Sequence, residues 1–402
     1  MTTASTAASG TPAERPLSAS EIYANARALS SYLRDKATEI DEARRLPEEV
    51  AARLRDAGMF RLMMPKDWGG PELSTVEQVE VVEEISRANP SAGWCVMIGC
   101  DSGFYAGYLD DAAARKLYPR LDMATAGMVF PGGRADRVEG GYRVNGQWAF
   151  GSGITHADVV SAGCVVYENG TPVTAGTPPR PLWRIMLAAA SAYEVQDTWH
   201  TTGLRGTGSN DYRASDLFVP EERSFSVLEP ARRDAPLWRC NNTFLPKLAA
   251  VPLGVARAMI DHVAETMQNK VETPGMKLYK NLTRVQTAIA DAEMILGAAR
   301  AYLFSAVERQ WRKLEKNEPL TAKDRADFWL SMVNAAHSGR QAIRMLFDAV
   351  GGSAIYAHRG PFDRYLRDAE TWCQHVVVQR RVLEAIGGML LGADDLPWHP
   401  FL

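Results

Sequence analysis

Apolar residues recur at helical spacing early in the chain: Ile22, Ala26, Leu29, Leu33 and Ile40 share one stripe, and residues 47–62 repeat the pattern. Ser74, with Glu77 three positions on and Val79 beyond, has the spacing of a capping box, in which side chain and backbone exchange hydrogen bonds at a helix start. The period changes near Thr125. Tyr142-Arg143-Val144 alternates, residues 159–167 are rich in Val and small side chains, and Gly132-Gly133, Gly140-Gly141, Gly170 and Pro178-Pro179 punctuate the runs as turns between strands. From Pro246 the helical period returns. Val251, Val255, Met259 and Val263 mark one helix; Ile289, Ala292, Ile295, Ala299 and Leu303 a second; Trp329, Val333, Ala336 and Ile343 a third. The pattern predicts a disordered tail over 1–18, a helical domain over 19–122, a β domain over 123–228 and a helical bundle over 229–402.

A last long helix is predicted through residues 367–376 and onward, entered after the turn-rich run 351–361. On it Asp368, Trp372, His375 and Gln379 fall at i, i+4, i+7 and i+11, placing an aromatic ring, an imidazole and an amide on one stripe. An imidazole there can move a proton near neutral pH. The same stripe also fits a histidine that only hydrogen-bonds within the core. Glu370 faces elsewhere, and Cys373 falls on a different face from His375.

Composition narrows the classes. A chain of 402 residues with 46% apolar and 23% charged residues is an ordinary globular protein of two or three packed sub-domains. Its net charge of −3 and lack of a Lys/Arg stripe speak against nucleic-acid binding. No apolar run approaches the ~20 residues needed to span a bilayer, and residues 1–16 lack the cationic-then-apolar order of a signal peptide. The cysteines, Cys95, Cys100, Cys164, Cys240 and Cys373, are scattered and in no metal-ligand spacing, so no metal site and a reducing, cytoplasmic setting are expected.

Two glycine-bearing segments are candidates for ligand contact. In Gln147-Trp148-Ala149-Phe150-Gly151-Ser152-Gly153, glycine on both sides of Ser152 lets backbone approach a ligand closely, and a hydroxyl can donate or accept; the residues by themselves read first as a plain hairpin turn. Trp148 suits either core packing or a cofactor wall, and His156 either a ligand or solvent. The run Gly203-Leu204-Arg205-Gly206-Thr207-Gly208-Ser209-Asn210-Asp211 offers backbone N–H groups and the hydroxyls of Thr207 and Ser209 to polar ligand atoms; the alternative is a tight loop before a strand. It is not the strand-to-helix dinucleotide fingerprint, so no nicotinamide domain is expected.

Across nearly the whole chain the motifs resemble the acyl-CoA dehydrogenase superfamily. They are Ala57-Gly58-Met59-Phe60 through Met64-Pro65-Lys66-Asp67-Trp68-Gly69-Gly70, Pro90-Ser91-Ala92-Gly93-Trp94, residues 140–148, residues 203–211 and Val350-Gly351-Gly352. Within it the chain is most similar to the oxygenase components of two-component flavin monooxygenases. Dehydrogenases carry a catalytic Glu where Val376 stands, and valine cannot abstract a proton; the monooxygenases carry a His at the position of His375.

The resemblance implies an α+β, mainly α acyl-CoA dehydrogenase fold: N-terminal helical domain, central β-barrel-like domain, C-terminal four-helix bundle. It implies a monooxygenase that takes reduced flavin (FMNH2 or FADH2) from a separate NAD(P)H:flavin reductase. With O2 it would hydroxylate or N/S-oxidise a small, aromatic organic substrate through a flavin C4a-(hydro)peroxide. Catalytic roles fall to His375 and Ser152, the latter near flavin N5. Flavin contacts fall to Trp148, Ser152, Thr207, Ser209, Arg284, Gly351 and Gly352, with Arg284 reaching phosphates across a subunit boundary, in a homotetramer. Trp94, Asp101, Ser102, Phe104, Phe130, His156 and Trp372 are expected at the substrate pocket. Related phenol hydroxylases place a histidine after the Ser-Ala-Gly-Trp element; here Asp101, Ser102 and Phe104 occupy that region. The alternatives are an acyl-CoA dehydrogenase with bound FAD and a non-catalytic flavin-binding protein.

Overall fold

The computed structural model describes residues 15–176, 178–357, 359–394, 397, 400 and 401. Residues 1–14 of the expected disordered tail lie outside them. Ser18, the tail's last residue, already caps Ala19–Ala28 through a reciprocal box with Glu21, and Ser74 caps Thr75–Ala88 with Glu77 in the same way. Each box satisfies N–H groups that a helix start leaves open, so the local sequence fixes where the chain turns in. Asn89 then caps Pro90–Gly99, with proline at the first position, where its fixed φ suits a helix. This helix is buried nearly all round, and Asp101–Ala106 continues it into the interior.

Besides a separate two-stranded ribbon of Thr174–Ala175 with Arg180–Pro181, the strands form an eight-stranded sheet. Its path runs Ser224–Phe225, Trp183–Ala189, Val159–Glu168, Thr125–Val138, Gly141–Gly151, Asn210–Pro220, Glu194–Gln196, with Thr171–Pro172 paired beside Val159–Glu168. Thr125–Val138 runs parallel to Val159–Glu168; the other pairings are antiparallel. A core of its own holds the sheet, in which Trp148 stacks on Tyr212 with ring centroids 5.4 Å apart.

Three long helices, Lys247–Thr266, Thr283–Glu315 and Ala322–Val350, build the bundle, and Phe362–Trp372 packs across the first and third as a fourth. Gly254 lets Lys247–Thr266 lie directly on Thr75–Ala88: a Cβ there would stand 2.3 Å from the Glu83 carbonyl. This contact sets the start of the first bundle helix against the N-terminal helices, and with it the position of Lys247.

The last helix corrects the sequence reading. It ends at Trp372, and residues 373–381 run as successive turns, with Gln374, His375 and Val378 donating to carbonyls three residues back. The β-branched run Val376-Val377-Val378 loses side-chain freedom against a preceding helical turn, which disfavours continuing the helix. The stripe of Asp368, Trp372, His375 and Gln379 therefore does not exist. Trp372 points into the core, fully buried, and its indole donates to the Ala336 carbonyl at 3.1 Å.

Candidate active site

The sheet opens where two of its strands separate. Thr125–Val138 and Gly141–Gly151 pair from Val138↔Gly141 only as far as Gly133↔Gly146. Beyond that point Pro131 supplies no N–H, and the register against Val159–Glu168 slips on both sides of it. The parted segments of residues 125–132 and 147–150, with Ser152, line a cavity of about 630 Å³. The helix Pro90–Gly99, the start of Lys247–Thr266 and the turns after Trp372 close it. Its walls are mostly apolar, with a few converging polar groups, as ligand pockets generally are.

One polar cluster is a chain of hydrogen bonds. Trp94 Nε1 donates to Ser152 Oγ at 3.1 Å, Ser152 Oγ lies 2.7 Å from Ser209 Oγ, Ser209 Oγ lies 2.7 Å from Thr207 Oγ1, and Thr207 donates to the Leu204 carbonyl at 2.8 Å. Fixing both ends fixes the middle. Thr207 spends its proton on Leu204, so Ser209 must donate to Thr207 and Ser152 to Ser209. Ser152 thus faces the cavity with no proton to give and a lone pair to offer. Asp368 anchors the loop from behind, its carboxylate accepting the Leu204 N–H at 2.6 Å; burial pushes its pKa up to about 7.

His375 stands beside this chain, edge-on to Trp94 with ring centroids 5.5 Å apart. Nδ1 accepts the Val377 N–H at 3.4 Å, so the ring proton belongs on Nε2. Burial lowers its pKa to about 4, leaving a neutral imidazole at ordinary pH.

A second cluster lies at Asp101, which lines the cavity while Lys247 stands behind it, Nζ 2.6 Å from Asp101 Oδ1. Burial raises the Asp101 pKa to about 6, opposed by Lys247 and the Tyr105 hydroxyl.

Of the sequence candidates, the cavity gathers Trp94, Asp101, Phe130, Trp148, Ser152, Thr207, Ser209 and His375. Trp148 reaches its edge while the indole is committed to the sheet core, donating to the Gly163 carbonyl at 2.8 Å. Four expected pocket residues lie elsewhere. Ser102 is spent on the Met123 carbonyl and Thr125 Oγ1, Phe104 packs against Phe244, and Trp372 is in the bundle core. His156 sits behind the Ser152 turn against Phe60, its pKa lowered to about 4 chiefly by burial. Arg284, Gly351 and Gly352 are also outside the cavity. They gather instead at one end of the bundle. There Arg284 pairs with Glu272 at 2.8 Å, Tyr279 lies under the cations of Lys270 and Arg284, and Lys270 donates to the Val350 carbonyl and Ser353 Oγ.

Sequence reasoning missed Lys247, Tyr105 and Phe150. Lys247 had a signal, a lone cation inside the apolar run 244–256. Phe150, which lines the cavity 58% exposed at φ 66°, had none, since a bulky residue in the left-handed region cannot be read from residue type.

Comparison with known proteins accords with this geometry. Residues 20–121 match the model of the acyl-CoA dehydrogenase N-terminal domain and residues 247–380 that of the C-terminal domain. Indole-3-acetate monooxygenase of Pseudomonas putida is 29% identical over 376 residues, 92% of this chain and 94% of that protein. The oxygenase subunit HsaA, a flavin-dependent monooxygenase of Rhodococcus jostii, is 30% identical, over 87% of this chain and 92% of its own. The solved structure of XiaF from Streptomyces sp., in complex with FADH2 and glycerol, superposes with a TM-score of 0.87 at 25% identity, covering 96% of this chain and 98% of that one.

Proposed function

Because the chain belongs to the family of flavin-dependent monooxygenase oxygenase components built on the acyl-CoA dehydrogenase fold, we propose that its cavity seats the ring of a reduced flavin beside a small aromatic substrate. The reduced flavin comes from a separate reductase partner, and O2 is the co-substrate. Bound in the cavity, it supplies the two electrons by which one atom of O2 enters the substrate and the other leaves as water.

The observation that carries this reading is the direction of the hydroxyl chain at the parted strands. The ring of a reduced flavin bears an N–H where that of the oxidised form bears a bare nitrogen. Ser152, its own proton committed to Ser209, suits the N–H. The parted strands suit the ring itself, because unpaired main-chain groups can meet its polar edge while apolar side chains cover its faces. His375 holds a proton at Nε2 and donates it toward the reacting oxygen or orients the substrate. The apolar walls exclude water, which strengthens each of these hydrogen bonds.

Arg284, Lys270 and the Gly351-Gly352 turn, away from the cavity, suit the phosphates of a flavin held by a neighbouring copy, consistent with a homotetramer. The acyl-CoA dehydrogenase alternative lacks its base. Asp101 is the one carboxylate among the described residues lining the cavity, and it is tied to Lys247; Glu370 pairs with Arg340 and Arg344 outside it.

Anaerobic titration with reduced and oxidised FMN and FAD tests the reading. Reduced flavin should bind more tightly, and Ser152→Ala should erase most of that difference. Tighter binding of the oxidised form, or reduction of bound flavin by an acyl-CoA, would refute it. Light scattering of the Arg284→Ala variant, with flavin binding measured in parallel, tests the shared phosphate site.

A further inference from the structure

We propose that Asp101 is the substrate-orienting acceptor of this cavity, taking a hydrogen bond from a ring N–H or O–H of an aromatic substrate while Lys247 holds it in place. The inference rests on the reading of the cavity as the substrate site, and it narrows the substrate to aromatics that carry such a donor.

The ion pair is among the most deeply placed in the molecule: the side chains are 6% exposed for Asp101 and 1% for Lys247. Removing two charges from water is costly, and their attraction repays it only when the remaining donors and acceptors are satisfied. Lys247 is well served, donating to Asp101 Oδ1 and to the Phe244 carbonyl. Asp101 keeps capacity to spare: a carboxylate offers two oxygens with about four acceptor sites, of which Lys247 engages Oδ1 and the Tyr105 hydroxyl hydrogen-bonds a further site.

Its setting defines the missing partner. Asp101 lines the cavity and Lys247 does not, so the substrate meets an acceptor backed by a cation. Such a pair is neutral overall and has little attraction for a free cation. It repels a carboxylate or phosphate brought against its oxygens. Phe130, Phe244, Leu248 and Phe401 line the same cavity and favour an aromatic body. Tyr105, also on the cavity wall, is a titratable neighbour whose hydroxyl contributes to holding the carboxylate charged; Cys100 and Tyr118 also lie near enough to feel its charge. The guest that this part of the cavity suits is an aromatic ring that turns one N–H or O–H toward Asp101.

The test measures binding to the full-length, flavin-free protein by calorimetry, using matched probes: indole against 1-methylindole, and phenol against anisole. Each pair differs by the donor hydrogen. The wild-type protein should favour the donor-bearing member of at least one pair by about tenfold, in line with a hydrogen bond to a charged group. In the double variant Asp101→Leu/Lys247→Met, which leaves no lone buried charge, the ratio should fall to about one. Equal binding of both members of both pairs by the wild type overturns the proposal, as does a preference that survives in the double variant. Reduced-flavin binding, measured on the same preparations, separates the outcomes: its loss in the wild type would count against the flavin reading and not against Asp101.

Discussion

The two polar ends of the cavity are built on opposite principles. At one end neutral hydroxyls from the Ser152 turn and the 204–209 loop donate hydrogen bonds in a fixed direction and finish on a backbone carbonyl, each internal group satisfied. At the other, two full charges face each other at 2.6 Å with acceptor capacity left over. The first arrangement costs little to bury, because every donor already has an acceptor. The second is costly unless a guest completes it. A directed neutral chain can therefore discriminate protonation states without strain, whereas a buried ion pair positions a guest at the expense of the fold.

Substitutions can break this contrast, and the largest effect is expected beside the hydroxyl chain. His375→Ala should lower product formation by ~10²–10⁴-fold at saturating reduced flavin, the usual worth of a positioned acid–base group. Retention of full coupling between flavin oxidation and product would remove the role assigned to it. At the charged end, Lys247→Met alone should cost ~3–5 kcal/mol in chemical denaturation by stranding a buried carboxylate, and Asp101→Leu added to it should restore most of the loss. If the single and double variants unfold alike, the pair is not the costly element described.

A smaller effect sharpens the neutral end. Ser209→Ala frees the Ser152 proton, so the preference for reduced over oxidised flavin should shrink by about tenfold, roughly the worth of one hydrogen bond. An unchanged preference would show that the chain's direction does not set it.

Protons give the finest test. The His375 pKa is depressed, so between about 6.5 and 4 the unfolded chain binds the proton that the folded chain refuses; its contribution to stability is complete above 6.5 and lost as pH falls through 4. His156 acts in the same sense. Asp101 and Asp368, with raised values near 6 and 7, act in the opposite one: theirs is complete below 3.8 and lost as pH rises through those values. A nitrogen-detected titration of labelled histidines should place the His375 midpoint near pH 4; a midpoint near 6.5 would mean an open, hydrated ring.

Much of the architecture was legible because it is encoded locally. The Ser74–Glu77 box, the alternation at Tyr142-Arg143-Val144 and the stripe from Val251 to Val263 each declare an element within a few residues, and the order of helices, strands and helices follows from them. Of the candidate site, what residue type could suggest was the gathering of polar side chains: His375, Ser152, Thr207 and Ser209 line one cavity. The site was illegible where distant backbone decided the outcome. Trp372 reads as a pocket residue because residue type alone does not show that its face of the helix packs on the Ala336 carbonyl, and Phe104 and Ser102 read so because neighbours of Asp101 in sequence point away from it in space. The partner of Asp101 lies 146 residues away, beyond the reach of any local pattern.

The seam left open between Thr125–Val138 and Gly141–Gly151 bears on how such a protein can change. Peptide groups are the same whatever side chains they carry, so a guest gripped by the main chain is insulated from most point mutations there. Lineages can then drift to a quarter identity and refit the remaining walls to new compounds while the grip itself endures.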